Sequence, residues 1–102
     1  MRGSLGAIFI ILVSLTILMS PAIATVTWST RENRDYGSND LSELNDFSLT
    51  DCLFSCEFNP KCIGVVVDYS DSSGPGKCWL KSAFSNSSIK NGQRYTYKLT
   101  RS

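Results

Sequence analysis

Histidine is absent from this chain of 102 residues. Without an imidazole, a Ser or Cys nucleophile has no His base to activate it. No nucleophile motif and no cofactor fingerprint occurs either, so the chain reads as a non-enzyme that needs no cofactor. Net charge is nearly absent as well: ten basic side chains face nine acidic ones, a formal +1. Nucleic acid demands a basic stripe and anionic lipid a polybasic cluster, and the sequence has neither. There is no internal repeat and no low-complexity segment, and the length allows one domain at most.

The N-terminus holds the longest apolar run. Met1-Arg2 gives a positive start, Leu5 to Met19 is almost unbroken apolar sequence, and Pro21 ends it. Ala22-Ile23-Ala24 then supplies the small-x-small pattern of a signal-peptidase site. A membrane-spanning helix needs about 20 apolar residues; this run is shorter and is interrupted by Ser14 and Thr16. Residues 1–24 are therefore expected to be a signal peptide and residues 25–102 the mature domain, secreted, extracellular and not inserted in a membrane. Arg2 leaves with the signal, so the mature part is formally neutral.

All four Cys lie in that mature part, spaced Cys52-x3-Cys56-x5-Cys62-x15-Cys78. An even Cys count in a short secreted chain reads as a disulfide framework. The need is physical, because a core in a domain below ~80 residues rarely supplies more than about 3–5 kcal/mol. Zinc is disfavoured, since Cys62 and Cys78 do not form a second tight pair and the route is oxidising.

The strongest local signal surrounds the first two Cys. Ser48-Leu49-Thr50-Asp51 fits a capping box with Ser48 at the N-cap. Leu49, Cys52, Leu53 and Cys56 follow at helical spacing on one face, and Asn59-Pro60 ends the helix. Neighbouring helical Cys at i, i+4 hold their Cβ atoms about 5–6 Å apart, too far for the roughly 3.5–4.5 Å of a disulfide. Chain reversal at Asn59-Pro60 favours Cys56–Cys62, which leaves Cys52 for Cys78.

Elsewhere, strands are expected over Val26 to Thr30, Ile63 to Tyr69, Lys77 to Lys81 and Arg94 to Leu99. The last should place Tyr95, Tyr97 and Leu99 on one side. Asp71 to Gly76 reads as a turn. Asn33 to Asp40 and Ser85 to Gly92 read as loops, and Leu41 to Phe47 as irregular, with a short strand near Leu44.

Asn33-x-Asp35-Tyr36-x-x-Asn39-Asp40-Leu41, Asp51-Cys52-x3-Cys56, Asn59-Pro60-x-Cys62-x-Gly64 and Lys77-Cys78-Trp79-Leu80-Lys81-Ser82 together resemble the PAN/apple domain family. The likeness runs from about Val26 to Leu99. It implies an α+β fold, a small antiparallel β-sheet crossed by one α-helix and stapled by the nested pairs Cys52–Cys78 and Cys56–Cys62. No Cys lies near either end of the mature part, so the resemblance is to the two-disulfide PAN type. Family members are adhesive modules for proteins or carbohydrates, and no shared binding motif transfers.

Strand alternation turns Trp79 and Lys81 to the face opposite Cys78 and Leu80. There they either bind a sugar or protein partner, or cover the back of a thin sheet, with Trp79 against Tyr95 or Tyr97. Asp35, Asn39 and Asp40 form a polar cluster that either contacts ligand or makes local turn bonds. It shows no calcium-loop pattern. Asn86-Ser87-Ser88 is an N-glycosylation sequon. The expected function is a secreted, non-catalytic module recognising carbohydrate or glycoprotein. The alternative is a protein-directed secreted effector or inhibitor of a receptor, protease or matrix protein. The inward helix face is expected to leave the outer sheet face and the loops for any partner.

Overall fold

The computed structural model describes residues 25–102, and the signal-peptide expectation for residues 1–24 lies outside the described residues. In chain order the elements are β1 (Val26–Trp28), β2 (Arg34–Tyr36), β3 (Asp40–Phe47), α1 (Leu49–Glu57), β4 (Gly64–Val67), β5 (Gly76–Lys81), β6 (Ser87–Ile89) and β7 (Tyr95–Arg101). Five strands form an antiparallel sheet ordered β1-β7-β4-β5-β3, while β2 and β6 pair separately as an antiparallel ribbon. Among the described residues the fold is α+β, with one helix on the sheet and two disulfides.

The helix begins where its capping box places it. Ser48 has extended backbone, and its hydroxyl accepts from the Asp51 N–H at 3.2 Å. Phe58 ends the helix in right-handed geometry rather than through a glycine cap. The terminal carbonyls find their donor on a distant strand. The Arg101 guanidinium donates to Cys56 O at 3.1 Å, Asn59 O at 3.0 Å and Cys62 O at 2.6 Å. Such exposed carbonyls need partners and favour a cation, so one side chain ties the last strand to the helix end and to the small disulfide loop.

Helix and sheet meet in a core of Cys52, Cys56, Cys62, Val65, Val67, Tyr69, Cys78, Leu80, Tyr97 and Leu99. The bridges join Cys52 to Cys78 and Cys56 to Cys62, with Cα–Cα distances of 6.0 and 5.3 Å. Period-two alternation sorts the strands: Val65 and Val67, Cys78 and Leu80, and Tyr97 and Leu99 face the helix, leaving Val66, Trp79, Lys81, Thr96 and Lys98 for the other face. The fully buried aliphatic side chains Val65, Val66 and Val67 all lie on β4, and each contributes roughly 1.5–3 kcal/mol.

Three expectations about loops need correction. The stretches Asn33 to Asp40 and Ser85 to Gly92 contain β2 and β6, which pair with each other in register Arg34↔Ile89, Asp35↔Ser88 and Tyr36↔Ser87. The segment Leu41 to Phe47 belongs to an eight-residue edge strand, not an irregular piece. Its wide apolar spacing reflects two register shifts against β5, between Asp40 and Ser42 and between Leu44 and Phe47. Such bulges break the two-residue period by which strands are recognised.

The β2–β6 ribbon lies on the outer face of the main sheet. Thr96 Oγ1 donates to Arg34 O at 2.8 Å, and Glu32 and Thr96 exchange backbone bonds at 2.9 Å. Tyr36 and Phe84 meet edge to face at 4.9 Å, and the Lys98 ammonium sits 5.4 and 5.2 Å from their ring centres. Gly64 makes this cover possible. A Cβ there would fall 2.3 Å from the Phe84 ring and 2.6 Å from Tyr97 O.

Candidate functional site: a cleft on the outer sheet face

Where the ribbon stops short of β5, a cleft of about 150 Å³ opens. Its floor is Val66 of β4 with Trp79 and Lys81 of β5; its walls are Asp35, Tyr36 and Gly37 from the ribbon, Asp40 at the start of β3, and Arg94 before β7. The polar loop and the aromatic strand, which are separate features in the sequence, thus meet at one place.

Lys81 is the most constrained of these residues. Strand alternation puts it on the outer face, open to a partner or covering the sheet, and there it is 1% exposed. The bulges of β3 bring Asp40 opposite Lys81 in register, and the ammonium pairs with the Asp40 carboxylate. Burying a charge is costly unless it is paired, so Asp40 is what permits Lys81 to lie on the floor. An ammonium carries three donors and Asp40 Oδ1 takes one, which leaves hydrogen-bonding capacity at the cleft.

Trp79 is half-buried and lies on the outer face, as strand alternation requires. It does not pack on Tyr95 or Tyr97, because those rings belong to the helix side. The Arg94 guanidinium covers it instead, 4.8 Å from the ring centre. Arg94 also donates to the Gln93 carbonyl at 3.3 Å. Asn39 sits apart from the cleft lining. It adopts a left-handed φ of 68°, its carbonyl accepts from the Ser82 N–H at 3.0 Å, and its side-chain oxygen accepts from the Ser85 hydroxyl. That is turn chemistry, and it holds the loop from which Asp40 departs. Asn86 is exposed, with its side-chain amide donating to the Ser38 hydroxyl.

Two carboxylates and two cations thus border an aromatic ring, with no excess charge of either sign. Hydroxyl groups can donate to Asp35 or Asp40 while accepting from Lys81 or Arg94, and a ring or methylene face can lie against Trp79. Pockets for drug-sized ligands run to roughly 300–1,000 Å³, so this one has room for a single sugar ring or side chain. Among the described residues no group of His, Cys, Asp and Glu is arranged to hold a metal ion.

A second feature departs from the sequence reading, which left only the outer sheet face and loops for a partner. Phe54 and Phe58 stand on the solvent side of α1, 53% and 83% exposed, stacked with ring centres 6.4 Å apart. Beside them Trp28, Thr50, Leu53, Phe54 and Glu57 line an apolar groove of about 150 Å³. Trp28 Nε1 donates to Glu57 Oε1 at 2.9 Å, pinning the edge strand to the helix. The signal was present in the sequence as an i, i+4 pair of Phe away from the Cys face. Arg94 and Tyr36, by contrast, carry no local signal that would place them at Trp79.

No protein-family model matches the chain, and comparison with curated proteins and with solved structures finds no match. Among the described residues no helix is long and apolar enough to cross a membrane.

Proposed function

We propose that this chain is a secreted, non-catalytic binding module of the two-disulfide PAN/apple type, and that the Trp79–Lys81 cleft recognises one sugar residue of a carbohydrate or glycoprotein. The observation that carries this reading is the cleft itself: a buried, carboxylate-paired ammonium beside a half-buried indole, closed by Asp35 and Arg94. Sugars present adjacent hydroxyls that both donate and accept, together with apolar C–H faces. A neutral set of mixed donors and acceptors beside an aromatic ring complements both. Because Arg94 already lies over the indole, a ligand either uses the guanidinium as one wall or displaces it.

The decisive experiment is a glycan array probed with the oxidised mature protein, with free-sugar competition, alongside Trp79→Ala and Arg94→Ala. Binding that free sugar competes away, and that Trp79→Ala abolishes with the fold intact, is the expected result. An array without signal, together with capture of one protein insensitive to sugars, would overturn it.

That second outcome corresponds to the other reading, a protein-directed effector or inhibitor. The exposed Phe54–Phe58 pair favours it, since stacked aromatics beside a groove are common anchors of protein contacts. Phe54→Ser with Phe58→Ser would then abolish capture while leaving the cleft untouched.

A further inference from the structure

Asn86, Ser87 and Ser88 are all exposed. Asn86 occupies a left-handed turn with φ 55°, a conformation Asn tolerates, just before β6. β6 pairs only with β2, so its other edge is open among the described residues. The register then fixes where the sequon stands. Ser88 lies opposite Asp35, and the Asn86 carbonyl accepts from the Gly37 N–H at 3.3 Å. Asp35 and Gly37 are both walls of the cleft. One strand spacing, about 5 Å, therefore separates the acceptor residue from the proposed binding site.

We propose that Asn86 carries an N-linked glycan and that this glycan flanks the Trp79–Lys81 cleft, restricting its access to small groups and chain ends. The modification rests on the secretory reading of residues 1–24, and its effect rests on the cleft being the binding site. In the transfer step Asn86 Nδ2 attacks the anomeric carbon of a lipid-diphosphate-linked oligosaccharide. A C–N bond forms, the C–O bond to the diphosphate breaks, and the lipid diphosphate leaves with the electron pair. Nδ2 loses one of its two protons. The proton that remains can still serve the Ser38 hydroxyl, so the loop keeps its tie to the ribbon. A hydrated glycan at that point hinders broad surfaces while a small ligand still enters.

The test uses the full chain made in a eukaryotic secretory host. Intact mass before and after peptide-N-glycosidase should show a heterogeneous increment that the enzyme removes. Ser88→Ala should lose the increment and Ser87→Ala should keep it, because the sequon needs Ser or Thr at the third position and accepts any residue but Pro at the second. Placement is read separately in a Trp28→Phe background, where Trp79 is the remaining indole of the mature part. A nitroxide-labelled dextran should quench the glycosylated form less than its Ser88→Ala counterpart, with acrylamide quenching both alike. Secreted, oxidised protein at bare polypeptide mass overturns the modification. Bare protein retained in the cell with free thiols overturns it too, and assigns the failure to the leader. Equal dextran quenching of glycosylated and bare forms overturns the placement beside the cleft.

Discussion

Replacing Asp40 by Ala tests the reading of the cleft at its most constrained point. Lys81 is almost fully buried, whereas its partner's side chain is 46% exposed. Removing one member of a fully buried ion pair costs roughly 3–5 kcal/mol, while exposed pairs contribute only about 0–1 kcal/mol. This pair lies between those limits, because water reaching the vacated cleft can solvate the ammonium in part. Asp40→Ala should therefore cost about 2 kcal/mol. Lys81→Met should be within about 1 kcal/mol of wild type, since it keeps the buried stem, removes the charge and leaves Asp40 facing water. The double mutant should resemble Lys81→Met, giving a coupling close to the whole loss seen in Asp40→Ala. Urea titrations read this as shifts in midpoint at unchanged slope. If Asp40→Ala leaves the midpoint unmoved while Lys81→Met unfolds the protein, the ammonium is solvated by something other than Asp40 and the account of the cleft floor fails. Because Lys81→Met should keep the fold, a binding assay on it tests the proposed recognition role of the cleft apart from stability.

Other expectations follow from the same architecture. The loops closed by the two disulfides span sequence separations of 26 and 6 residues. In the chain-entropy account their loss costs about 3.5 and about 2.2 kcal/mol respectively, so Cys52→Ala with Cys78→Ala should lower the melting temperature more than the Cys56, Cys62 pair. Burial, reinforced by Asp68, pushes the Tyr69 phenol up to about 12. An ordinary phenol ionises near 10, so this group leaves stability unchanged below that pH and lowers it as pH rises from 10 towards 12, because ionisation is easier in the unfolded chain. Its hydroxyl is buried without a partner. Tyr69→Phe should accordingly be neutral or stabilising at pH 7 and should lessen the alkaline loss, measured by paired denaturation curves at pH 7 and pH 11. Gly64→Ala should destabilise by about 1–3 kcal/mol through overpacking, and should weaken protection of the Thr96 and Glu32 amides in hydrogen exchange as the Phe84 cover lifts.

How much of this was legible in the sequence depended on whether the signal was local. The capping box at Ser48, the stop at Asn59-Pro60 and the spacing of Cys52 and Cys56 are short-range features, and they place α1 and its inward face. Alternation in Tyr95, Tyr97 and Leu99 placed β7's core face for the same reason. Lys81 shows what alternation does not carry. The pattern gave its side of the sheet but not its burial, because the carboxylate that neutralises it is 41 residues away and is brought opposite only by the bulges of β3. The two ribbon strands were invisible for a related reason. Arg34-Asp35-Tyr36 and Ser87-Ser88-Ile89 are three residues each and mostly polar, and they become strands only by pairing with each other across the sheet.

That ribbon explains why the cleft lies where it does. A five-stranded sheet has two faces to cover, and the described residues contain one helix. On the helix side the disulfides close the layer. On the outer side the cover among the described residues is the ribbon with its Tyr36–Phe84 pair, anchored through Thr96 and Lys98 of β7 and seated on Gly64 of β4. It is too short to reach across β5. Trp79 is therefore left with an arginine over it rather than a packed side chain, and Lys81 is left with an ion pair rather than an apolar lid. A sheet that needed only stability could have filled these positions with aliphatic residues, since replacing such a pair by well-packed apolar groups is often neutral or stabilising. Charge and aromatic surface kept at the one uncovered part of the sheet are what a recognition site requires, and Arg94→Ala distinguishes the two roles. If Arg94 serves only as a lid, its loss should expose Trp79 to acrylamide and leave glycan binding intact. If it is a wall of the site, binding should fall while the denaturation midpoint holds.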